Sequence, residues 1–238
     1  MRVFLILCFA ALAACDVTTT TTTTPQTQSQ PTQITQQQAQ TRASSAARQF
    51  VSVVQTVEPV AESECRRRAP GANCDFQIVV DDRPNQPPNA FQTVDRSGRP
   101  ILAFNLALIA SVSNADELAF VMGHEAAHHV LGHLARTQQN AAVGAVILSG
   151  LAALGGADAA AVQSAEQIGA TLGARSYSKD FELEADRLGT VITARAGYNP
   201  VRGAQFFNKI PDPGNRFLGT HPPNAARMEI VRRTAADL

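Results

Sequence analysis

Four of the chain's five histidines lie in the stretch FVMGHEAAHHVLGH, which runs from Phe120 to His133. Within it, His124, Glu125 and His128 form the pattern H-E-x-x-H. On a helix, histidines four residues apart share one face, so both imidazoles can bind one metal ion. Glu125 lies at the edge of that face, where its carboxylate can hold a water beside the metal without binding the metal itself. The pattern therefore predicts half of a metal site together with an acid–base group.

The other two histidines of this stretch do not share the face if the helix continues through them. His129 points about 100° away from His128. His133 follows His124 by nine residues, which places it on the opposite side of the helix. A catalytic zinc site takes three protein ligands and keeps one position open for water, so the third ligand has to come from elsewhere in the chain.

The acids of the segment YSKDFELEADRLG are the candidates for this third ligand. Glu182 and Asp186 are four residues apart and therefore share one face of a helix, whereas Glu184 points elsewhere. One of the two carboxylates can bind the ion while the other accepts a hydrogen bond from a ligand histidine and holds its ring. Helical periodicity alone leaves open which carboxylate has which role.

The first residues of the chain predict export and a lipid anchor. The segment MRVFLILCFAALAAC has a basic start, an apolar run that is short for a membrane span, and small residues before Cys15, as in a cleaved signal peptide. LAAC at its end resembles the bacterial lipobox, so residues 1–14 are expected to be removed and Cys15 to carry several acyl chains, which anchor a protein firmly. Asp16 resembles a signal for retention at the inner membrane. We expect a periplasm-facing protein of the bacterial cell envelope; a signal peptide without lipid is the alternative.

The next segment, residues 15–42, is dominated by Thr and Gln and has few side chains to bury. A disordered tether is therefore expected there, followed by a folded domain over residues 43–238. Cys65 and Cys74 remain as an even pair in an oxidising compartment. A disulfide between them would stabilise the domain by roughly 2–3 kcal/mol on the chain-entropy estimate. Two free buried thiols are the alternative.

Hydrophobic periodicity predicts a mainly helical α+β domain with a small β-sheet ahead of the histidine helix. The first helix should end at Glu58, because Pro59 follows it. Asn114 can cap the histidine helix, with Glu117 three residues further on. Helices are predicted over 43–58, 113–135, 180–196 and 223–236, and strands within 74–82 and 90–104.

Composition bears on the partners that the chain can contact. The segment 141–156 is apolar on all sides but shorter than the roughly 20 residues of a membrane span. A buried helix or helical hairpin is the simplest interpretation, with shallow membrane contact as the alternative.

The chain has 20 basic and 20 acidic residues. Because this balance gives no basic surface for phosphates, no nucleic-acid partner is expected.

Taken together, these motifs resemble the gluzincin family of zinc metallopeptidases that includes HtpX and the CAAX prenyl proteases, in its bacterial lipoprotein branch. The resemblance rests on the HExxH helix, on E-x-x-x-D in ELEAD, and on VVDDRPNQPPNAF, AGYNP and HPPNAAR, and it covers residues 76–232. It implies that Glu182 is the third zinc ligand and that Asp186 holds a ligand histidine. It also implies that His221 contacts the substrate or the oxyanion and that Arg227 braces the site. A surface-loop histidine is the alternative for His221.

The same resemblance implies a zinc endopeptidase, tethered by its lipid, with one Zn2+ per chain. Glu125 would act as the general base toward a zinc-activated water, and the substrates would be unfolded or misfolded envelope proteins. The substrate would be held as an added strand against the segment 99–105, just before the metal helix. The alternative is a non-cleaving envelope chaperone or assembly lipoprotein whose zinc is structural or vestigial.

Overall fold

The structure, a computed structural model, describes residues 35–176, 178–214 and 221–238. The helices are α1 (Gln36–Arg68), α2 (Leu106–Ser111), α3 (Ala115–Val130), α4 (His133–Leu154), α5 (Ala159–Ser176), α6 (Ser178–Arg195), α7 (Pro200–Gly203) and α8 (Asn224–Ala236), with a 3-10 helix at Ala204–Lys209. The strands are β1 (Gln77–Asp81), β2 (Ala90–Val94) and β3 (Pro100–Asn105). This order confirms the predicted α+β fold, mainly helical, with a small sheet ahead of the histidine helix. The predicted signal peptide and Cys15 lie outside the described residues.

The three strands form one sheet in the order β1-β3-β2. β1 runs parallel to β3, and β2 runs antiparallel to it. The predicted turn joins β2 to β3, and Gly98 takes a positive φ of 83° there. The interpretation of 99–105 as an edge that receives substrate is wrong, because β3 is the central strand and both of its sides are paired. Local strand patterns do not encode which strand becomes central, and β1 and β2 form the edges of this sheet.

Helix α3 is the element around which the domain packs. The side-chain oxygen of Asn114 accepts a hydrogen bond from the backbone N–H of Glu117 at 3.1 Å, so the cap predicted from the sequence is present. The helix packs mainly against α6 and α1, and also against β2 and β3. Leu118 and Met122 have no exposed surface. Because α3 is enclosed in this way, His124 is also buried, with 7% of its surface exposed.

Helix α1 differs from the prediction at both ends. It begins at Gln36 rather than at residue 43, and it continues through Pro59, so the predicted end at Glu58 is wrong. Val57 and Ala61 are buried on the side that faces the core. Their packing offsets the roughly 3 kcal/mol that an interior proline costs a helix.

The predicted disulfide between Cys65 and Cys74 is confirmed. It joins the last turn of α1 to the segment that leads into β1, and the two Cα atoms are 5.7 Å apart. Both sulfur-bearing residues belong to the main hydrophobic core. The bridge therefore fixes the end of the long helix against the sheet.

Helices α4 and α5 pack against each other as a helical hairpin, with far fewer contacts to the rest of the domain. Most of the segment 141–156 lies in α4 and forms one arm of this hairpin. Its predicted burial is wrong, since Val146 is 71% exposed and Leu154 is 88% exposed. The apolar composition instead serves close helix packing, since a Cβ on Gly144 would lie 2.1 Å from the carbonyl oxygen of Gly169. None of the helices in the described part of the chain is long and apolar enough to cross a membrane.

Candidate active site

Three side chains converge where α3 and α6 face each other. Nε2 of His124 lies 3.0 Å from Nε2 of His128. The carboxylate oxygens of Glu182 lie 3.6 Å from His124 Nε2 and 3.3 Å from His128 Nε2. These three side chains each offer one ligand atom, and the three atoms lie within 4.8 Å of one another, close enough to bind one metal ion. The structure therefore brings together the two motif histidines and the acid that the resemblance implied.

The spacing of the histidine nitrogens and the carboxylate oxygens is close to that around a tetrahedral ion. The two contacts of Glu182 match it, and the separation of the histidine nitrogens, 3.0 Å, is slightly shorter. With zinc bond lengths of about 2.0–2.2 Å, tetrahedral geometry places neighbouring ligand atoms roughly 3.3–3.6 Å apart. The other ring nitrogens agree, because Nδ1 of His124 lies 2.9 Å from Asp186 Oδ1 and Nδ1 of His128 lies 2.9 Å from Nδ1 of His133. Since both Nδ1 atoms have partners, both rings present Nε2 to the ion.

One arginine and two buried acids surround the ligand histidines. Asp186 has no exposed surface and accepts two hydrogen bonds, each 2.7 Å long, from the guanidinium of Arg227. The same guanidinium lies 3.3 Å from Glu182 and covers the ring of Phe207 at 3.9 Å from the ring centroid. With both histidines neutral, as metal binding requires, two carboxylates against one guanidinium leave a net negative charge in a buried place. Because a buried charge needs compensation, this balance suits a bound cation.

The ionisation of Glu182 agrees with a ligand role. Burial alone would raise the pKa of its carboxyl, but hydrogen bonds from His128 and His221 and the charge of Arg227 outweigh burial and lower that pKa well below its ordinary range. Glu182 is therefore a carboxylate at neutral pH, which is the form that binds a metal.

Two glycines let α3 and α6 approach closely beside the site. A Cβ on Gly189 would lie 2.9 Å from the backbone nitrogen of His124, and a Cβ on Gly123 would lie 2.9 Å from the carbonyl oxygen of Gly189. Both obstacles are backbone atoms, so larger side chains would push the helices apart. Glu182 precedes Gly189 on α6 by about two turns, and the close approach brings its carboxylate within reach of the histidines.

His124, His128 and Glu182 form a triangle of candidate metal ligands, the ligand triangle. His133 lies beside it, although its predicted place was the opposite side of the helix. Helix α3 ends at Val130, and Gly132, with a φ of 66°, turns the chain before α4 begins at His133. The prediction was wrong because it assumed one continuous helix. The available signal was Gly132 itself, since glycine readily takes a positive φ at the end of a helix.

His129 and Glu184, two further polar residues of the motif segments, have partners outside the ligand triangle. Nε2 of His129 lies 2.7 Å from the carbonyl oxygen of Asn73, so His129 points away from the site, as predicted. Glu184 lies 3.1 Å from Nε2 of His133 and accepts a hydrogen bond from Arg136 at 2.7 Å. Burial lowers the pKa of His133 to about 4, although the hydrogen bond to Glu184 opposes this effect, so the ring is neutral at neutral pH.

The ligand triangle opens into a cavity of about 490 Å³. Glu125 lines this cavity beside the ligand histidines. His221 also lines it, with Nδ1 at 3.1 Å from a carboxylate oxygen of Glu182 and with 54% of its side chain exposed. The strand β2 and the residues before it contribute one part of the lining, which the sequence did not predict. That part consists of Pro88, Asn89, Ala90, Phe91 and Gln92.

The fold and the site together define a class of protein. An HExxH helix, an acid on a second helix and an open cavity beside the motif glutamate are the arrangement of a metallopeptidase. The chain matches the model of peptidase family M48 over residues 47–235 and belongs to that family. This match confirms the gluzincin resemblance found in the sequence.

Named relatives support the same class. The chain is 32% identical over 151 residues to the beta-barrel assembly-enhancing protease of Escherichia coli O157:H7, and the match covers 54% of this chain and 29% of that protein. It is 30% identical over 192 residues to the mitochondrial metalloendopeptidase OMA1 of Bos taurus, with 71% of this chain and 34% of the relative covered. The matched part is thus only about a third of the length of these relatives.

Proposed function

We propose that this chain is a zinc-dependent endopeptidase that cleaves unfolded or misfolded polypeptides in the bacterial envelope, held at a membrane by lipid on Cys15. The observation that carries the proposal is the convergence of His124, His128 and Glu182 beside a cavity that Glu125 also lines. Three ligands and an open side are typical of catalytic zinc, whereas structural zinc is usually closed by four protein ligands. The envelope location rests on the sequence of the first residues, which the structure does not describe.

In this proposal Glu125 is the general base and then the general acid of peptide-bond hydrolysis. Bound zinc would supply a coordinated water of lowered pKa and would polarise the scissile carbonyl. The Glu125 carboxylate, which lines the cavity, would take a proton from the attacking water as the water oxygen bonds to the carbonyl carbon. It then donates the proton to the amide nitrogen as the C–N bond breaks. His221 lies beside Glu182 at the same cavity, where its ring can donate a hydrogen bond to the substrate oxygen that becomes negative.

The edge strand β2 is the element that would hold the substrate. One side of β2 pairs with β3, and no strand among the described residues pairs with its other side. Ala90, Phe91 and Gln92 of this strand line the cavity. A peptide that adds to this edge would be bound through main-chain hydrogen bonds, which demand little of the peptide's sequence. This mode suits unfolded polypeptides of varied sequence, and β2 replaces the segment 99–105 in that role.

The decisive experiment is the Glu125→Gln substitution in the full chain. The variant should fold and bind zinc as the unmodified protein does, but its cleavage of unfolded casein should fall by about 10²- to 10⁴-fold, the usual contribution of a general base. Equal proteolysis by the variant would rule out the mechanism. Zinc binding without any proteolysis by the unmodified protein would instead support the non-cleaving chaperone.

A matched pair of substitutions tests the third ligand. Glu182→Ala removes a carboxylate that lies within 3.6 Å of both histidine nitrogens, and it should abolish tight zinc binding. Glu184→Ala removes a carboxylate from the same helix that faces His133 instead. Because all three candidate ligands remain, this variant should retain the ion through gel filtration, even if it binds the ion more weakly than the unmodified protein does. Metal analysis after gel filtration reads out both variants. Loss of zinc from Glu184→Ala with retention in Glu182→Ala would overturn the ligand choice.

A further inference from the structure

The two ligand histidines are held in different ways. Nδ1 of His124 contacts a carboxylate directly, that of Asp186 at 2.9 Å. Nδ1 of His128 contacts a second imidazole instead, that of His133 at 2.9 Å. The far nitrogen of His133, Nε2, then lies 3.1 Å from a carboxylate oxygen of Glu184. His128 is thus connected to a carboxylate through one intervening ring.

The protons of this chain of contacts can be assigned. If Nε2 of His128 binds a metal through its lone pair, the ring proton of neutral His128 is on Nδ1. Nδ1 of His133 has to accept that proton in a hydrogen bond, so the proton of His133 is on Nε2. This second N–H points at Glu184, whose carboxylate only accepts. Each contact then has one donor and one acceptor.

We propose that His133 is a positioning residue for the metal site: it accepts the Nδ1–H of His128, donates its own Nε2–H to Glu184, and thereby fixes the tautomer and the ring orientation of His128. The proposal rests on the metal-binding role of His128 in the proposed function. It assigns to His133 and Glu184 the part that Asp186 has toward His124, since a partner on the far nitrogen orients a ligand histidine and makes it a stronger ligand.

The surroundings hold His133 firmly enough for this role. The residue is 3% exposed, and its ring stacks on Phe181 with the centroids 4.6 Å apart and the planes 9° from parallel. The guanidinium of Arg136 covers the same Phe181 ring at 4.1 Å from its centroid and donates a hydrogen bond to Glu184 at 2.7 Å. Stacking fixes the plane of the imidazole, and Arg136 fixes the carboxylate that receives its proton.

The backbone explains how His133 reaches this place. Gly132 ends α3 with a φ of 66°, and His133 is the first residue of α4 and the one buried residue of that helix among those described. Phe181 and Glu184 come from α6, which also carries Glu182. The contacts of His133 therefore link the start of α4 to the helix that supplies the acid of the ligand triangle.

The test compares His133→Phe with His129→Phe in the full chain. Phenylalanine at 133 keeps a ring to stack on Phe181 but offers no nitrogen to His128. The control makes the same chemical change next to His128, at a ring whose Nε2 contacts Asn73 outside the site. The zinc dissociation constant is measured by competition with a chromogenic chelator. We expect His133→Phe to bind zinc about 10- to 100-fold more weakly, the usual effect of losing such a partner, and His129→Phe to bind it unchanged.

A conservative variant and a spectroscopic measurement complete the test. In His133→Asn the side-chain oxygen can accept the Nδ1–H of His128, so this variant should recover most of the lost affinity. If His133→Phe does not fold, nitrogen-15 spectra of the unmodified zinc-loaded protein decide, since they should show His133 neutral with its proton on Nε2. A proton on Nδ1 of His133, or undiminished zinc affinity in folded His133→Phe, would overturn the proposal. Failure of the proposed function itself is distinct, because it would appear in the unmodified protein, as absent zinc binding or as zinc binding without proteolysis.

Discussion

Removal of the arginine that neutralises the buried acids should destabilise the folded protein strongly. In Arg227→Met, Asp186 loses two hydrogen bonds of 2.7 Å and Glu182 loses a contact of 3.3 Å. Asp186 has no exposed surface, so water cannot replace the guanidinium unless the site opens. Removing one partner of a buried ion pair costs about 3–5 kcal/mol. We therefore expect the free energy of unfolding to fall by about this amount when metal is chelated.

Urea denaturation of the full chain, followed by circular dichroism, measures this loss. Arg233→Met is the matched control, because Arg233 lies on the same helix and pairs with Glu229 at the surface; its cost should stay below about 1 kcal/mol. Saturating zinc should recover part of the loss in Arg227→Met, since the ion binds the folded state and supplies positive charge beside Glu182. A loss in Arg227→Met no larger than that of the control would show that the guanidinium does not compensate these buried acids.

Three further substitutions test other parts of the structure. Gly189→Ala places a Cβ 2.9 Å from the backbone of His124. Because of this overpacking, the free energy of unfolding in urea should fall by about 1–3 kcal/mol, and zinc should bind more weakly. Unchanged zinc affinity would contradict a need for close approach of the two helices. Gly169→Val, where a Cβ would lie 2.1 Å from the carbonyl oxygen of Gly144, should speed amide hydrogen exchange in α4 and α5 while zinc binding is kept; unaltered exchange would contradict the hairpin packing. Burial alone would raise the pKa of Glu64, but hydrogen bonds from three arginines lower it overall from 4.5. Glu64→Gln should therefore lose about 1–3 kcal/mol of stability at pH 7, and the difference from the unmodified protein should shrink as the pH falls below 4.5; a difference independent of pH would contradict it.

The sequence predicted those parts of the candidate site whose residues lie close together on one helix. His124 and His128 share a face because they are four residues apart on one helix, and periodicity is sufficient for that relation. Glu182 lies 54 residues after His128, and its place beside them depends on how α3 packs on α6. Periodicity narrowed the third ligand to two acids, and only the resemblance chose between them. Distances between helices are set by packing, which a pattern within one helix does not contain.

The fold shows the same division between local and distant relations. The cap at Asn114 and the turn between β2 and β3 have local chemical signals, and both were predicted. β3 is central because it also pairs in parallel with β1. Parallel strands are not joined by a tight turn, so no turn residue in the sequence signals this pairing. The segment 141–156 was predicted to be buried from its composition alone. Gly144 packs α4 against α5, while Val146 and Leu154 stay exposed. Composition alone does not show which of these small and apolar residues are buried.

The one place where helical periodicity failed inside the motif lies next to the ligands. Nine residues of unbroken helix would turn His133 half a revolution away from His124, so the prediction was sound for a continuous helix. Gly132 breaks that continuity with its φ of 66°, and the break brings His133 to within 2.9 Å of His128. The end of α3 at Gly132, rather than the spacing of the histidines, is therefore what places His133 against the ring of His128.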